Sequence, residues 1–368
     1  MAKGENIYKR KDGRWEGRYP KARKSDGSIH YGYIYANSYR SVKEQLLEKK
    51  VQTTVLYSRS NKDFKGTFGE WANIWLTTIM APKIKESTYA SYKNKMKLHI
   101  FPSFEKRTLK SIKASDIDSM ISNLSNSLSA SSVHVIFRIM SGCFENAKEH
   151  AYIFTNPCEG AVLPKVQMEK VRALTRAEQK DLEKASLKNK NGLPILIALE
   201  TGMRIGEICA LKWKDVDFSS SMIHVHRTIQ RVSLPDSHGK KTKIIETTPK
   251  TPNSDRMIPL TAKLRDILLQ THKTSQECFV ISNGYNAIEP RTVSYRFDQI
   301  RQEIGLNSIS FHSLRHTFAT RCVEIGVNVA AVSSLLGHSS IKLTLDTYTT
   351  SFLTEKREAI EKLDHLDL

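Results

Sequence analysis

The first 57 residues show two successive patterns of apolar and polar positions. The segment Ile29–Ala36 (IHYGYIYA) alternates with a period of two, which is typical of a strand. Turn signals at Asp12-Gly13 and at residues 25–28 mark off two earlier strands. From about residue 39 to residue 57 the spacing becomes helical, with one apolar face formed by Val42, Leu46, Leu47 and Val51. These patterns predict a small three-stranded sheet covered by one helix.

Residues 66–160 carry a helical period throughout. Large apolar side chains form a stripe at the start of this block, at Phe68, Trp71, Ile74, Trp75 and Ile79. Further helices are predicted over residues 87–98, where Pro102 ends the segment, from Ser115 onwards, and over residues 130–150. Thr155-Asn156-Pro157 closes the block, which we predict to be an all-α domain.

Residues 174–368 mix helices with a few strands. A capping box at Thr175–Glu178 predicts the start of a helix. Strands are predicted over Met222–Arg227 and within residues 240–260, and helices resume near Ala262. The predicted fold class is therefore multidomain: an N-terminal three-stranded sheet plus helix (1–57), an all-α domain (66–160) and a mainly-α domain with a small antiparallel sheet (174–368).

Charge points to a polyanionic partner. The chain of 368 residues has 57 Lys and Arg against 38 Asp and Glu, a formal net charge of +19. Residues 1–50 hold 13 of the basic and 6 of the acidic side chains, interleaved with aromatics, which predicts that the sheet binds DNA. The alternative is a small domain with an aromatic core and a solvated basic face. The candidate DNA-binding residues are Lys9, Arg10, Lys11, Arg14, Arg18 and Lys21.

Other classes of protein fit the sequence poorly. It has no run of about 18 apolar residues and no apolar segment near its N-terminus that is typical of a secretory signal, so we expect no membrane partner and a cytoplasmic location. Its five cysteines are scattered without a C-x-x-C pair, so neither a disulfide framework nor a zinc finger is expected.

Four patches in the last block carry candidate chemistry. They are T-G-M-R-I-G-E (201–207), P-K-T (249–251), F-H-S-L-R-H-T (311–317) and L-G-H-S (336–339), the last followed ten residues after its histidine by a tyrosine. Arginines bind phosphate oxygens bidentately, lysine and histidine transfer protons, and a tyrosine hydroxyl can attack phosphorus. Together these side chains predict a phosphodiester-cleaving site made of Arg204, Lys250, His312, Arg315, His338 and Tyr348.

Each of these residues also has an ordinary interpretation. Arg204 is typical of a helix-end cation, and a lone tyrosine such as Tyr348 is most often packed or exposed. His312 and His316 are four residues apart, as in H-E-x-x-H metal sites, but Arg315 between them would repel a cation, so no metal is expected. His316 is then a supporting or packing residue. For the lysine, the P-K-T context favours Lys250 over the neighbouring Lys240, Lys241 and Lys243.

The joint pattern resembles the tyrosine recombinase family of phage and conjugative-transposon integrases. The resemblance rests on the motifs T-G-M-R-I-G-E, P-K-T-x-x-S-x-R-x-I-P-L (249–260), F-H-S-L-R-H-T-F-A-T (311–320) and L-L-G-H-S-S-x-x-x-T-L-D-T-Y-T (335–349), in the family's order. It is strong over residues 174–355. Before that it is looser, where residues 67–157 resemble a core-binding domain and the basic sheet resembles an arm-binding domain.

The resemblance implies a site-specific DNA recombinase that integrates and excises a mobile element without a cofactor. It implies that Tyr348 is the nucleophile, that Arg204 and Arg315 clamp the scissile phosphate, and that His312 transfers the tyrosine proton. Lys250 would be the general acid, His338 a phosphate hydrogen-bond donor and Glu207 an orienting partner. The implied partners are double-stranded DNA with core and arm sites, three further copies in a homotetramer, an excisionase and a host DNA-bending protein.

Two other functions share part of this pattern. A type IB topoisomerase uses the same tyrosine chemistry on one duplex, but it has no use for a separate basic sheet. A non-catalytic DNA-binding regulator fits the charge, but it has no use for a nucleophile. The lack of a G-x-x-x-x-G-K-[ST] loop agrees with an ATP-independent reaction. The tail Phe352–Leu368 would pack either on a neighbouring subunit or on its own domain.

Overall fold

The computed structural model describes residues 6–23, 29–46, 64–167, 171–234, 242–248, 252–272, 275–284, 286–307, 309–338, 340–342 and 344. The chain divides into two compact units, residues 1–167 and 168–368, and each is described by itself.

The first unit begins with the predicted sheet. Strands β1 (Ile7–Lys9), β2 (Trp15–Arg23) and β3 (Ile29–Ala36) are antiparallel in the order β1-β2-β3. A helix, α1 (39–46), follows, and its buried side chains Val42 and Leu46 pack closely over Gly17, where an added Cβ would lie 2.6 Å from a Val42 methyl. The sheet and its covering helix are as predicted, and the predicted continuation of the helix to residue 57 lies outside the described residues.

The helical block of this unit has five helices. They are α2 (Phe68–Ile74), which continues as a π-helical segment (Trp75–Met80), α3 (Glu86–Lys95), which continues likewise (Met96–Ile100), α4 (Phe101–Phe104), α5 (Ala114–Ser125) and α6 (Ala130–Glu149). Thr67 caps α2 by a capping box with Glu70, and the indole of the buried Trp71 donates to the main-chain oxygen of Cys143 on α6, at 3.0 Å. The all-α prediction is confirmed for this block.

Two details of the helical block differ from the prediction. Pro102 does not end the helix at residue 98, because it occupies the first turn of α4, where its missing N–H would have no helical partner in any case. Ile74 does not belong to the buried stripe. It is 44% exposed, since the inward face of α2 runs through Phe68, Trp71, Ala72 and Trp75.

The second unit is mainly helical with small antiparallel sheets. Its helices are α7 (Arg176–Lys188), α8 (Leu193–Thr201), α9 (Ile205–Ala210), α10 (Ala262–Thr271), α11 (Pro290–Glu303), α12 (Phe311–Glu324) and α13 (Val329–Leu336). Three strands form one sheet in the order β4-β5-β8, namely β4 (Val216–Asp217), β5 (Met222–Val225) and β8 (Arg256–Pro259). Two hairpins accompany it: β6 (Thr228–Ser233) with β7 (Thr242–Thr247), and β9 (Ser282–Asn283) with β10 (Asn286–Ala287).

The predicted strand Met222–Arg227 is two residues shorter in the structure. Strand β5 ends at Val225, two residues leave the ladder, and β6 then begins a separate hairpin. Beyond the end of β5, the guanidinium of Arg227 pairs with the buried carboxylate of Asp215.

A central buried helix organises this unit. All of α8 from Pro194 to Leu199 is buried, and α8 packs against α12. Its place in the core follows from its composition, since it is apolar on every side. The capping box at Thr175 begins α7 as predicted. Within the ranges that the structure describes, none of the helices combines the length and the apolar character needed to span a bilayer.

Candidate active site

Arg204 stands at the turn between α8 and α9, where it is the N-cap residue of α9. Its Nη1 donates to Glu207 Oε1 at 2.8 Å and its main-chain N–H donates to Glu207 Oε2 at 2.9 Å. The same carboxylate therefore fixes both the side chain and the main chain of Arg204. The Glu207 side chain is only 4% exposed, so it holds the Arg204 guanidinium from the interior of the protein. The Arg204 side chain is 40% exposed, so the guanidinium also reaches solvent.

Arg315 lies on α12 and is almost fully buried. Its Nη1 donates to the main-chain oxygen of Gly202 at 2.9 Å, and its Nη2 donates to that of Leu336 at 2.7 Å. These two carbonyls belong to the C-terminal ends of α8 and α13, which carry partial negative charge. Arg315 thus links two helix ends and is held in one orientation by them.

The two histidines of the predicted set flank these arginines. His312 lies one turn before Arg315 on α12, and His338 follows Gly337, whose φ of 65° ends α13 in a left-handed conformation. The Nδ1 atom of His338 is 2.8 Å from Thr344 Oγ1, and its main-chain oxygen accepts from Asn253 Nδ2 at 3.3 Å.

Both imidazoles are held neutral. Desolvation and then the charges of Arg315 and Arg204 lower the pKa of His312 below its usual value. Burial, followed by Arg315, Arg204, Arg256 and His312, lowers the pKa of His338 to about 4. Arg204 and Arg315 donate to the main-chain oxygens of Gly337 and Leu336, which directly precede His338, and His312 lies one turn from Arg315, so the four side chains converge on one site.

Arg256 is a member of this cluster that lies within the motif of residues 249–260 but was given no role in the sequence analysis. It lies on β8, its side chain is 5% exposed, and its Nη2 donates to Glu207 Oε2 at 2.9 Å. Burial alone would raise the pKa of Glu207, but Arg256 and Arg204 outweigh this and hold that pKa below its ordinary value. A local signal for Arg256 existed in the alternation of the strand. Arg256 and Ile258 lie on the same inward face of β8, and Met257 between them is exposed.

Other residues named in the sequence analysis either lie outside the described residues or are not part of this cluster. Lys250 and Tyr348 lie outside the described residues, as do Lys240, Lys241 and the tail 352–368. Lys243 is exposed on β7. His316 lies one turn beyond His312, where burial and then His312 lower its pKa. Over the described ranges, no three His, Cys, Asp or Glu side chains gather as metal ligands would.

The basic candidates of the N-terminal sheet whose side chains the structure describes do not share one surface. The guanidiniums of Arg10 and Arg14 lie 5.3 Å and 5.8 Å from the ring centre of Tyr35, and that of Arg18 lies 3.5 Å from the ring of Tyr31. These contacts define an arginine–tyrosine face, which comprises Arg10, Arg14, Arg18, Tyr31 and Tyr35. It is opposite α1, because Tyr35 pairs with Glu16 while the neighbouring Gly17 faces the helix.

Lys9 lies on the other side of this sheet. It pairs with Trp15, whose ring contacts Tyr39 of α1 at 5.2 Å between centroids, and the Lys9 ammonium lies 5.8 Å from the Trp15 ring. Lys9 therefore shares the face that α1 covers. Lys11 is exposed in the turn before β2, and the side chain of Lys21 is outside the described residues.

Comparison with known proteins decides the family. The model of the phage integrase family matches residues 161–355, more than half of the chain. The chain belongs to the phage integrase family. A second model, the phage integrase N-terminal SAM-like domain, matches residues 67–125, within the helical block.

Relatives over most of the chain carry consistent names. A protein named tyrosine recombinase XerC-like, from Caldanaerobacter subterraneus subsp. tengcongensis, is 29% identical over 357 residues, covering 89% of this chain and 90% of the relative. The ICEBs1 integrase of Bacillus subtilis is 26% identical over 337 residues, covering 87% and 89%. With the family established, this integrase is an enzyme of site-specific DNA recombination.

Solved structures share the fold. The Tn1549 transposon integrase, in complex with a circular intermediate DNA, matches with a TM-score of 0.68 at 21% identity, over 81% of this chain and 99% of that one. A lambda integrase tetramer bound to a Holliday junction matches with a TM-score of 0.59 at 21% identity, over 91% and 96%. The integrase thus has the mixed, mainly helical architecture with small antiparallel sheets seen in those proteins.

Proposed function

We propose that this integrase cuts and rejoins DNA through a 3′-phosphotyrosyl bond formed by Tyr348, in the integration and excision of a mobile genetic element. The bond from the tyrosine oxygen to phosphorus forms as the bond from phosphorus to O5′ breaks. Attack by a 5′ hydroxyl of a partner duplex reverses the exchange. One phosphodiester replaces another at each step, so no ATP and no cofactor are required.

The observation that carries this proposal is the convergence of two arginines and two neutral histidines at the end of α13. Arg204 and Arg315 each keep a fixed guanidinium plane through carbonyl or carboxylate partners. Such pre-oriented donors stabilise the additional negative charge of a pentavalent phosphorus without rearranging during the reaction. We assign both arginines to the non-bridging oxygens of the scissile phosphate.

Proton transfer falls to the remaining predicted residues. His312, kept neutral by its surroundings, accepts the proton of the Tyr348 hydroxyl. His338 is neutral as well, and we assign it the tautomer in which Nδ1 accepts from the Thr344 hydroxyl and Nε2–H donates to the phosphate. Lys250 protonates the departing O5′. Glu207 orients Arg204, as its two contacts with that residue suggest.

The DNA contacts are divided between three parts of the chain. Residues 174–368 form the catalytic domain, residues 66–160 grip the core site, and residues 1–57 hold the distal arm sites. The match to an integrase N-terminal model over residues 67–125 supports the second assignment. The arginine–tyrosine face supports the third, since arginines stacked on aromatic rings present both cations and flat apolar surface to a groove.

The working assembly is a homotetramer on two DNA duplexes, supported by the lambda integrase tetramer on a Holliday junction. The tail 352–368 is the segment that we assign to contact with a neighbouring copy or with its own domain. An excisionase and a host DNA-bending protein set the direction of the reaction. Because the substrate is DNA, the integrase acts in the cytoplasm.

The experiment is a suicide-substrate assay with Tyr348→Phe. A nicked core-site duplex loses its short 5′ fragment on cleavage, so the covalent adduct accumulates and is seen as a shifted band on a denaturing gel. Tyr348→Phe should abolish the adduct and keep DNA binding, because it removes only the hydroxyl. Tyr295→Phe is the control, since Tyr295 is a tyrosine that is 63% exposed on α11 and its hydroxyl accepts from Gln299 of the same helix. An adduct that persists in Tyr348→Phe would assign the nucleophile to another residue.

A further inference from the structure

Three arginines bind the end of a single helix. The main-chain oxygens of Leu335, Leu336 and Gly337, at the C-terminus of α13, accept in turn from Arg256 Nε at 2.6 Å, Arg315 Nη2 at 2.7 Å and Arg204 Nη2 at 3.4 Å. The last carbonyls of a helix lack helical partners and carry partial negative charge. The longest of the three contacts belongs to Arg204, which is also the arginine that reaches solvent.

Arg256 differs from the other two because it faces no open cleft. Its side chain is 5% exposed, and its Nη1 contacts Glu207 Oε1 at 3.3 Å and the main-chain oxygen of Ser254 at 3.1 Å, in addition to the Nη2 contact with Glu207. An added Cβ on Gly337 would lie 3.1 Å from the same Nη1, so the protein packs closely around it. Arg256 therefore ties the beginning of α9 to the end of α13 from the interior.

The charges of this cluster suggest what Arg256 does. Glu207 is a carboxylate with 4% exposure, and a charge buried so deeply is strongly unfavourable unless a cation neutralises it. Two cations share it, Arg204 and Arg256, which leaves one net positive charge in the group of three. Without Arg256, Glu207 and Arg204 would form a neutral pair. The positive charge of Arg204 would then be neutralised by Glu207 and would not act on a phosphate.

We propose that Arg256 is a positioning residue for strand cleavage: it neutralises Glu207 and ties it to the end of α13, so that the charge of Arg204 acts on the scissile phosphate. This inference rests on the proposed function, and it adds a residue that acts only through Glu207 and Arg204. Arg256 itself does not touch the DNA.

The first test compares Arg256→Gln with the natural chain in single-turnover cleavage of the suicide substrate. The glutamine keeps amide donors and removes the charge. We expect the rate of adduct formation to fall about 100-fold, the loss typical of a misplaced reactive group. DNA affinity should not change, because Arg256 is buried. An Arg256→Gln rate equal to that of the natural chain would overturn the inference and leave the proposed function intact.

The second test separates positioning from a merely structural role. If Arg256 acts through the carboxylate, the double variant Arg256→Gln with Glu207→Gln should cleave no more slowly than Glu207→Gln alone. A further tenfold loss in the double variant would overturn the proposal. This comparison also decides the matter if Arg256→Gln alone does not fold, because the double variant removes both buried charges together and in Glu207→Gln the side-chain amide oxygen can still accept from Arg256.

A matched control is Arg321→Gln. Arg321 lies on α12, the helix of Arg315. It donates to Glu324 Oε1 on α12 at 2.6 Å, to Gln179 Oε1 on α7 at 3.0 Å, and to the main-chain oxygen of Leu174 just before α7. At a temperature well below its melting temperature, Arg321→Gln should cleave at the rate of the natural chain. If Arg321→Gln slows cleavage as much as Arg256→Gln, general loosening of the domain explains both and the proposal fails. If the natural chain forms no adduct at all, the proposed function fails instead.

Discussion

Two groups of arginines in this integrase are held in opposite ways. Arg256 and Arg315 are buried, and their hydrogen bonds join them to carbonyls and to a carboxylate of the fold. Arg10 and Arg14 of the N-terminal sheet are exposed and form surface ion pairs with Glu16 and Asp12. Buried charges with fixed partners are oriented at a high desolvation cost, whereas exposed pairs contribute little to stability.

Under the proposed function, the difference teaches how one residue type performs two tasks on DNA. A guanidinium that meets the transition state, as proposed for Arg315, or that positions another one, as proposed for Arg256, has to be oriented before the substrate arrives, so the fold surrounds it. A guanidinium that attracts a duplex needs only charge and reach, so it stays on the surface, and its contribution depends on salt. Substitutions in one group should therefore change the rate of cleavage, and substitutions in the other should change the salt dependence of binding.

The largest expected effect is that of Arg315→Lys. Arg315 donates to the Gly202 and Leu336 oxygens and, in the proposed function, to the phosphate as well. A lysine lacks the planar set of donors that could make all three contacts. We expect cleavage of the suicide substrate to slow by roughly 100- to 1,000-fold, as when a preorganised donor is removed. The same replacement in the other group, Arg14→Lys, should leave cleavage unchanged. Equal decreases in the two variants would remove the distinction between the groups.

A second prediction concerns salt. Replacing Arg10, Arg14 and Arg18 together by alanine should make binding to a full attachment site less dependent on salt, by roughly 0.9 in the log–log slope for each phosphate that is no longer neutralised. Cleavage of a substrate with only the core site should persist. Filter binding from low to high salt provides the slope. Footprints that are identical for the variant and the natural chain would show that this face does not hold arm DNA.

A third and smaller effect is the dependence of stability on pH. The pKa of His338 is lowered to about 4 by burial and the nearby cations, from an ordinary value of 6.5. Between these values the unfolded chain takes up a proton that the folded chain does not, so the free energy of unfolding decreases as pH falls below about 6.5. His338→Gln should flatten the melting temperature measured between pH 6.5 and 5. A slope unchanged by the substitution would show that His338 does not contribute to it.

The sequence was most informative where the determining contacts are local. Helix periods, the capping box at Thr175 and the alternation of Ile29–Ala36 depend on neighbours in the chain, and the corresponding elements are present. Pro102 and Ile74 were misjudged because each depends on how adjoining helices meet. For the site, the motifs named Arg204, His312, Arg315 and His338, and the structure brings these four together, while their chemical roles, with those of Lys250 and Tyr348, stay predictions.

The sequence by itself determined which residues are candidates for the chemistry and which helices present them, since positions one turn apart on a helix share a face whatever surrounds them. Only the tertiary structure decided that Arg256 contacts Glu207, which is 49 residues away in the sequence. The same is true of its contact with Leu335 at the end of α13, which is 79 residues away. Only the structure showed that Lys9 lies on one face of the N-terminal sheet and that Arg10 and Arg14 lie together on the other. The physical reason is that a buried charge is tolerated only beside its partner, and in this fold that partner lies on a distant segment of the chain.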